Sequence, residues 1–214
     1  MKLLILNILV LLLPVAGMAQ RGISDYSADD SIQINGWLSQ GEQLLITKPS
    51  EALRLAQKSH SIAEKKGYNY GIARSLYLQG YLAFTNRERS RAMDLLSHSR
   101  ELFKDMGEEY YLGRVLKTMG DVFSAGSYFR QAFDHYRDAL VLFRKTNQLK
   151  ETSETQECIA DLSLEFGFPR NAISAFKRLL VLKNNLNDRP GMITTMSKLS
   201  KLYLSLKLYD SALY

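Results

Sequence analysis

An all-α solenoid of stacked antiparallel helix pairs is predicted by three columns of residues that recur every forty positions. The first is Ala52, Ala92, Ala132, Ala172 and Ala212. The second, Gly80, Gly120, Ala160 and Ser200, holds only small residues, each twelve positions before an alanine of the first. The third, Gly67, Gly107, Asn147 and Asn187, holds the two residue types that most readily adopt the left-handed conformation closing a helix. A fixed period of this size marks an array in which each unit buries its apolar face against the next. One helix pair per forty residues is the expected unit.

The small columns predict close approach. Glycine inside a helix costs about 1 kcal/mol relative to alanine, so Gly80 and Gly120 point to places where another main chain lies against the helix. Around them larger apolar residues recur at helical spacing: Leu76, Leu82 and Ala83 on a first helix, Met93, Leu96 and Phe103 on the second. One unit later the same arrangement returns as Leu116, Val122 and Phe123, then Phe133, Tyr136 and Phe143. These stripes are the expected core, and no strand pattern interrupts them.

Residues 1–19 stand apart. Lys2, the apolar run from Leu3 to Leu13, Pro14 and the small-residue stretch Ala16 to Ala19 read as a secretory signal cleaved before Gln20. The run is shorter than the roughly 20 residues a bilayer-spanning helix needs. Residues 20–30 form a polar linker, and the array occupies 31–214 as four full units and an incomplete fifth. Helix one is expected from about Ser31, with Trp37, Gly41 and Leu44 one residue out of phase with later units, so that the turn before Pro49 is shorter by one. Pro49 and Pro169 fall in the first turn of second helices, where a missing amide hydrogen does no harm. Unit two spans about Tyr68 to Gly107, unit three Glu108 to Asn147 and unit four Gln148 to Asn187, and unit five opens at Pro190. Its second helix has only begun at Tyr214, so Leu199, Leu202, Tyr203 and Leu206 are expected to lack a covering partner. Further chain or another subunit would then cover them.

Composition narrows the function. The net charge of +6 is spread along solvated helix faces rather than gathered into a tract. The one local cluster, Arg87, Arg89 and Arg91, lies in a turn, and with no aromatic interleaving nucleic acid is not the expected partner. Cys158 is the single cysteine, so no intramolecular disulfide forms; it reads as a partly buried structural thiol. His60, His98 and His135 share no column and have no metal-ligand spacing. There is no nucleophile elbow, phosphate loop or zinc-protease motif. No enzyme activity, metal or cofactor is expected from these residues.

Leu116, Gly120, Phe123, Ala132 and Tyr136 follow the order large, small, apolar, alanine, aromatic, and Ala160, Ala172 and Phe176 follow it in part. In this the chain resembles the tetratricopeptide repeat (TPR) family in a long, forty-residue variant, with Gly or Asn where the family places a proline. The resemblance implies a right-handed α-α superhelix whose first helices line a concave groove for a protein or peptide. It maps the groove positions onto Arg74, Tyr77, Tyr81 and Phe84 in unit two, Arg114, Lys117 and Asp121 in unit three, and Glu154, Glu157 and Asp161 in unit four. The groove would run from an aromatic and basic end to an acidic one. The clamp that some members use on carboxylate tails is not expected, because Asp121 follows Lys117 where the clamp has asparagine.

Two functions follow from the resemblance. One is an exported, periplasmic or extracellular, non-catalytic scaffold that binds a protein or peptide. The other is the sensor segment of a longer bacterial signal transducer, with a membrane helix and a kinase or DNA-binding output after Tyr214. Any membrane contact would come through that further part, and an oligomer through the uncovered end of unit five.

Overall fold

A computed structural model describes residues 26–206. The predicted signal segment and Ala212 lie outside the described residues. Within them the chain forms α1 (Ala28–Leu44), α2 (Pro49–Lys66), α3 (Asn69–Thr85), α4 (Arg89–Met106), α5 (Glu109–Ala125), α6 (Phe129–Lys145), α7 (Leu149–Glu165), α8 (Pro169–Asn185) and α9 (Arg189–Ser205), with no strand among the described residues.

Local signals set the boundaries. Pro49 and Pro169 stand in the first turn of α2 and α8 as expected, and Pro190 in that of α9. Gly67, Gly107, Asn147 and Asn187 all have positive φ, from 55° to 70°, which reverses the chain between units. A second left-handed column, Arg87, Ser127 and Gly167, closes the first helix of units two, three and four. Its first two side chains hide it from a search for glycine.

Unit one departs from the expected phase. Its first helix starts at Ala28 rather than Ser31, because Ser27 and Asp30 form a reciprocal capping box. A Cβ on Gly41 would lie 3.6 Å from Ala52 O, as one on Gly80 would lie 3.4 Å from Ala92 O, so the crossing is kept although the spacing is one residue shorter. The shortening lies between the crossing glycine and the end of α1, and not in the turn. α1 ends three residues past Gly41, α3 five past Gly80, and the turn before Pro49 has four residues (45–48) where the next has three (86–88).

The alanine column is fully buried at Ala52, Ala92, Ala132 and Ala172. The glycines opposite it meet mainly side chains. A Cβ on Gly80 would lie 2.8 Å from Leu96 Cγ, and one on Gly120 would lie 2.6 Å from the Tyr136 ring. The backbone approach expected from sequence is therefore the secondary contact, and a large side chain from the paired helix fills the space a first-helix residue would take. Phe103, Phe143 and Phe176 are wholly buried in the same layers, each contributing roughly 1.5–3 kcal/mol of transfer free energy. First helices also touch one another across units, α1 with α3 and α3 with α5, so their outward side chains share one face.

Two placements differ from expectation. Leu199, Leu202 and Tyr203 are buried, in one cluster with Phe176 and Leu179 of α8. α9 turns them toward α8, and leaves Ile193, Met196 and Leu204 exposed on its other side. Lys183 occupies the column of Phe103 and Phe143 and is also buried, its Nζ 3.0 Å from Glu157 Oε2 and 3.7 Å from Asp188 Oδ2.

A leucine at position 132 has no room beside the packed α5–α6 crossing. Ala132→Leu is expected to destabilise the fold by about 1–3 kcal/mol, measured by urea denaturation.

Candidate functional site

The first helices build one face, and between α1, α3, α5 and α7 it holds a cavity of about 400 Å³. Tyr77 and Tyr81 come from α3, Tyr110, Arg114, Lys117 and Thr118 from α5, and Lys150, Glu151 and Glu154 from α7. Unit one adds Glu42, Gln43, Leu45 and Ile46, and Phe143 of α6 reaches in from behind.

Arg114 is the centre of this arrangement. Its guanidinium carbon lies 4.8 Å from the ring centre of Tyr77, 5.4 Å from that of Tyr111 and 5.8 Å from that of Tyr110. At these distances the ring faces attract the cation. Arg74, one period earlier, is 5.1 Å from the Tyr111 ring centre and 5.7 Å from that of Tyr70. Glu42 bridges the two arginines, with Oε1 3.0 Å from Arg74 Nη2 and Oε2 3.3 Å from Arg114 Nη1. Tyr111 Oη donates to Glu42 Oε1 at 3.4 Å. Burial opposes the charge of Arg114, but Tyr77 and Glu42 beside it outweigh that and hold the guanidinium protonated.

Five of the ten groove positions mapped from sequence line the cavity: Tyr77, Tyr81, Arg114, Lys117 and Glu154. The structure places the other five elsewhere. Arg74 is buried beneath the face, donating to Asn35 Oδ1 at 3.2 Å and Ser39 Oγ at 3.4 Å besides Glu42. Phe84 packs against the core of units one to three. Asp121 accepts from Lys117 Nζ at 3.1 Å and from Tyr136 Oη at 2.8 Å. Glu157 is turned to Lys183 and Lys198, and Asp161 lies 2.8 Å from Lys198 Nζ. The expected gradient from a basic to an acidic end is thus largely cancelled by internal ion pairs.

Residues missed from sequence had two signals. Tyr110 and Lys150 extend a forty-residue column, Tyr70, Tyr110 and Lys150, one turn before Arg74, Arg114 and Glu154. Glu42 falls in register with Tyr81 only once the one-residue shift of unit one is applied. Tyr110 and Glu151 meet through a 3.0 Å hydrogen bond from the phenol to the carboxylate.

Cys158 sits behind Lys117, its Sγ 4.0 Å from Asp121 Oδ1, and burial pushes the thiol up to about 11. It stays protonated near neutral pH, as a structural thiol should. On the opposite side His60 and His98 share a shallow cavity floored by Ile72, Leu76 and Leu102. No cluster of His, Cys, Asp and Glu suited to a metal ion occurs among the described residues.

Residues 50–189 match the family described as "Soluble NSF attachment protein, SNAP", which covers more than half of the chain. The chain belongs to this family. Its members share TPR-like helical repeats, and solved structures similar to this chain include TPR-repeat proteins. A putative kinesin light chain of nearly identical TPR-like repeats from P. anserina superposes with a TM-score of 0.67 at 12% identity, covering 87% of this chain and 92% of that one. Aspartyl phosphate phosphatase F from Bacillus subtilis gives 0.67 at 12% identity, over 87% of this chain and 58% of that one. A signal transduction ATPase with a tetratricopeptide repeat sensor from Pyrococcus horikoshii gives 0.66 at 13% identity, over 89% of this chain and 32% of that one. No curated protein matches the chain. The fold is the all-α, right-handed superhelix expected from the repeat pattern.

The tyrosines give the face a pH signature. Burial, together with the hydrogen bond to Glu151, pushes Tyr110 up to about 12, and burial raises Tyr70 and Tyr81 as well. A phenol whose folded pKa exceeds its unfolded value of about 10 contributes its full stability below pH 10 and loses it as pH rises through the folded value. Stability measured by urea denaturation is expected to hold up to about pH 10 and fall between about 10 and 12, and Tyr110→Phe should reduce that fall.

Proposed function

We propose that this protein is an exported, non-catalytic scaffold that holds a protein or peptide on the face of its first helices. The observation that carries this reading is the cavity between α1, α3, α5 and α7, where Tyr77, Tyr81 and Tyr110 stand beside Arg114, Lys150 and Glu154. Tyrosine and arginine supply large contact area at small entropic cost, and such residues dominate binding energy at protein interfaces. The fold supports the same reading, since stacked helix pairs offer an extended surface with little movement of the scaffold. The family is named for attachment proteins, and the face described above is where an attached partner would sit.

Export rests on the charged, apolar and small-residue order of residues 1–19. Sequencing of the protein secreted by a host that carries the full gene is expected to begin at Gln20. Recovery of the uncleaved chain in the cytosol would contradict export.

A second reading makes these repeats the sensor segment of a longer signal transducer. It is favoured by the similarity to the signal transduction ATPase with a tetratricopeptide repeat sensor from Pyrococcus horikoshii, in which the matched region is 32% of a longer chain. Reading the gene past Tyr214 separates the two: a membrane-spanning segment followed by kinase motifs supports the sensor, and a stop after one capping helix removes it.

Tyr81 is half-buried on the cavity wall and tests the groove directly. Tyr81→Ala is expected to weaken capture of the exported partner about tenfold, the loss of one aromatic anchor, with the melting temperature unchanged. Equal capture would reject the groove.

A further inference from the structure

We propose that α7, α8 and α9 form a soft end of the array that opens as one unit while α1 to α6 stay folded, so that the wall α7 gives the cavity is movable. The opening depends on packing alone. Only its consequence for uptake rests on reading the first-helix face as a peptide groove.

The core of unit four is polar where those of units two and three are apolar. Thr152 and Gln156 of α7 are buried at the places that Ile72 and Leu76 hold in unit two, and Leu112 and Leu116 in unit three. Lys183 of α8 is buried at the place of Phe103 and Phe143. Gln156 is 1% exposed, and its Nε2 finds no hydrogen-bond partner among the described residues. A buried amide left unpaired favours an opened state in which water reaches it. Thr152, Thr155 and Ser163 donate their hydroxyls to carbonyls four residues back in α7, at 2.6, 2.7 and 2.7 Å. Such bonds satisfy the hydroxyls but weaken and bend a helix slightly.

Polar contacts define what moves. Lys183 meets Glu157 of α7 at 3.0 Å and Asp188, in the turn before α9, at 3.7 Å, and Glu157 also faces Lys198 of α9 at 3.6 Å. Glu157 thus ties the three helices to one another, as do the apolar contacts of Leu199, Leu202 and Tyr203 with Phe176 and Leu179, and they open as a body. Tyr136 and Leu140 of α6 belong to the same apolar cluster. Tyr136 is nevertheless fixed on α5, by its ring against Gly120 and its hydrogen bond to Asp121, so the boundary falls between α6 and α7. Across that boundary Tyr110 of α5 donates to Glu151 of α7 at 3.0 Å and latches the unit at the cavity. Because α7 carries Lys150, Glu151 and Glu154, its displacement reshapes the cavity from that side.

The test is hydrogen–deuterium exchange of the purified protein, read by mass spectrometry on peptides from each helix. Amides of α7, α8 and α9 are expected to exchange together, at least about tenfold faster than those of α3 and α5, the scale of one buried unpartnered polar group in the opening equilibrium. Gln156→Leu, which restores the residue of units two and three, should slow all three helices by about tenfold and leave α3 unchanged. Tyr110→Phe removes the latch and should speed them by about tenfold, which keeps the test decisive even if Gln156→Leu folds poorly. A parent in which α7 exchanges as slowly as α5, or in which α9 alone is fast, overturns the inference. So does either folded variant with parent rates in α7. No ligand enters this measurement, so its failure is separate from that of the groove, which the capture experiment with Tyr81→Ala decides.

Discussion

Every feature of the face depends on how closely the two helices of a pair can approach. At Gly80 and Gly120 a large side chain of the partner helix, Leu96 or Tyr136, lies where a Cβ would otherwise stand. Ala92 and Ala132, fully buried, complete the contact from the other helix. Such packing fixes the separation and angle of the pair, and repeating it every forty residues carries the same geometry from unit to unit. First helices then fall side by side, so Glu42, Arg74 and Arg114, far apart in sequence, meet within hydrogen-bonding distance.

The repeat was legible because small residues and left-handed turns leave compositional marks at a constant step. Where the geometry is met by other residues, the marks vanish. Arg87 and Ser127 adopt positive φ without being glycine. Lys183 takes the place of a core phenylalanine because Glu157 and Asp188 neutralise its ammonium there, and that substitution draws Glu157 away from the groove. Unit one keeps its crossing glycine but ends its first helix two residues sooner after it, so Glu42 escapes a strict forty-residue register.

The groove was half legible for an electrostatic reason. Periodicity shows which side of a helix a charge occupies, but not whether a neighbouring unit neutralises it. Arg74 and Arg114 share one column, yet the first is buried under the face and the second lines the cavity. Asp121 and Glu157 carry the charge expected of them and spend it on Lys117 and Lys183. What remains open to a partner is a tyrosine-walled space with Arg114 and Lys150 on one hand and Glu154 on the other.

A double-mutant cycle on Glu42 and Arg114 probes most directly whether stacking brings units one and three to a common face. With Glu42→Gln, Arg114→Gln and the double variant compared by urea denaturation, a coupling of about 0.5–3 kcal/mol is expected, the range for residues in contact. Additivity to within about 0.3–0.5 kcal/mol, the behaviour of distant sites, would contradict it.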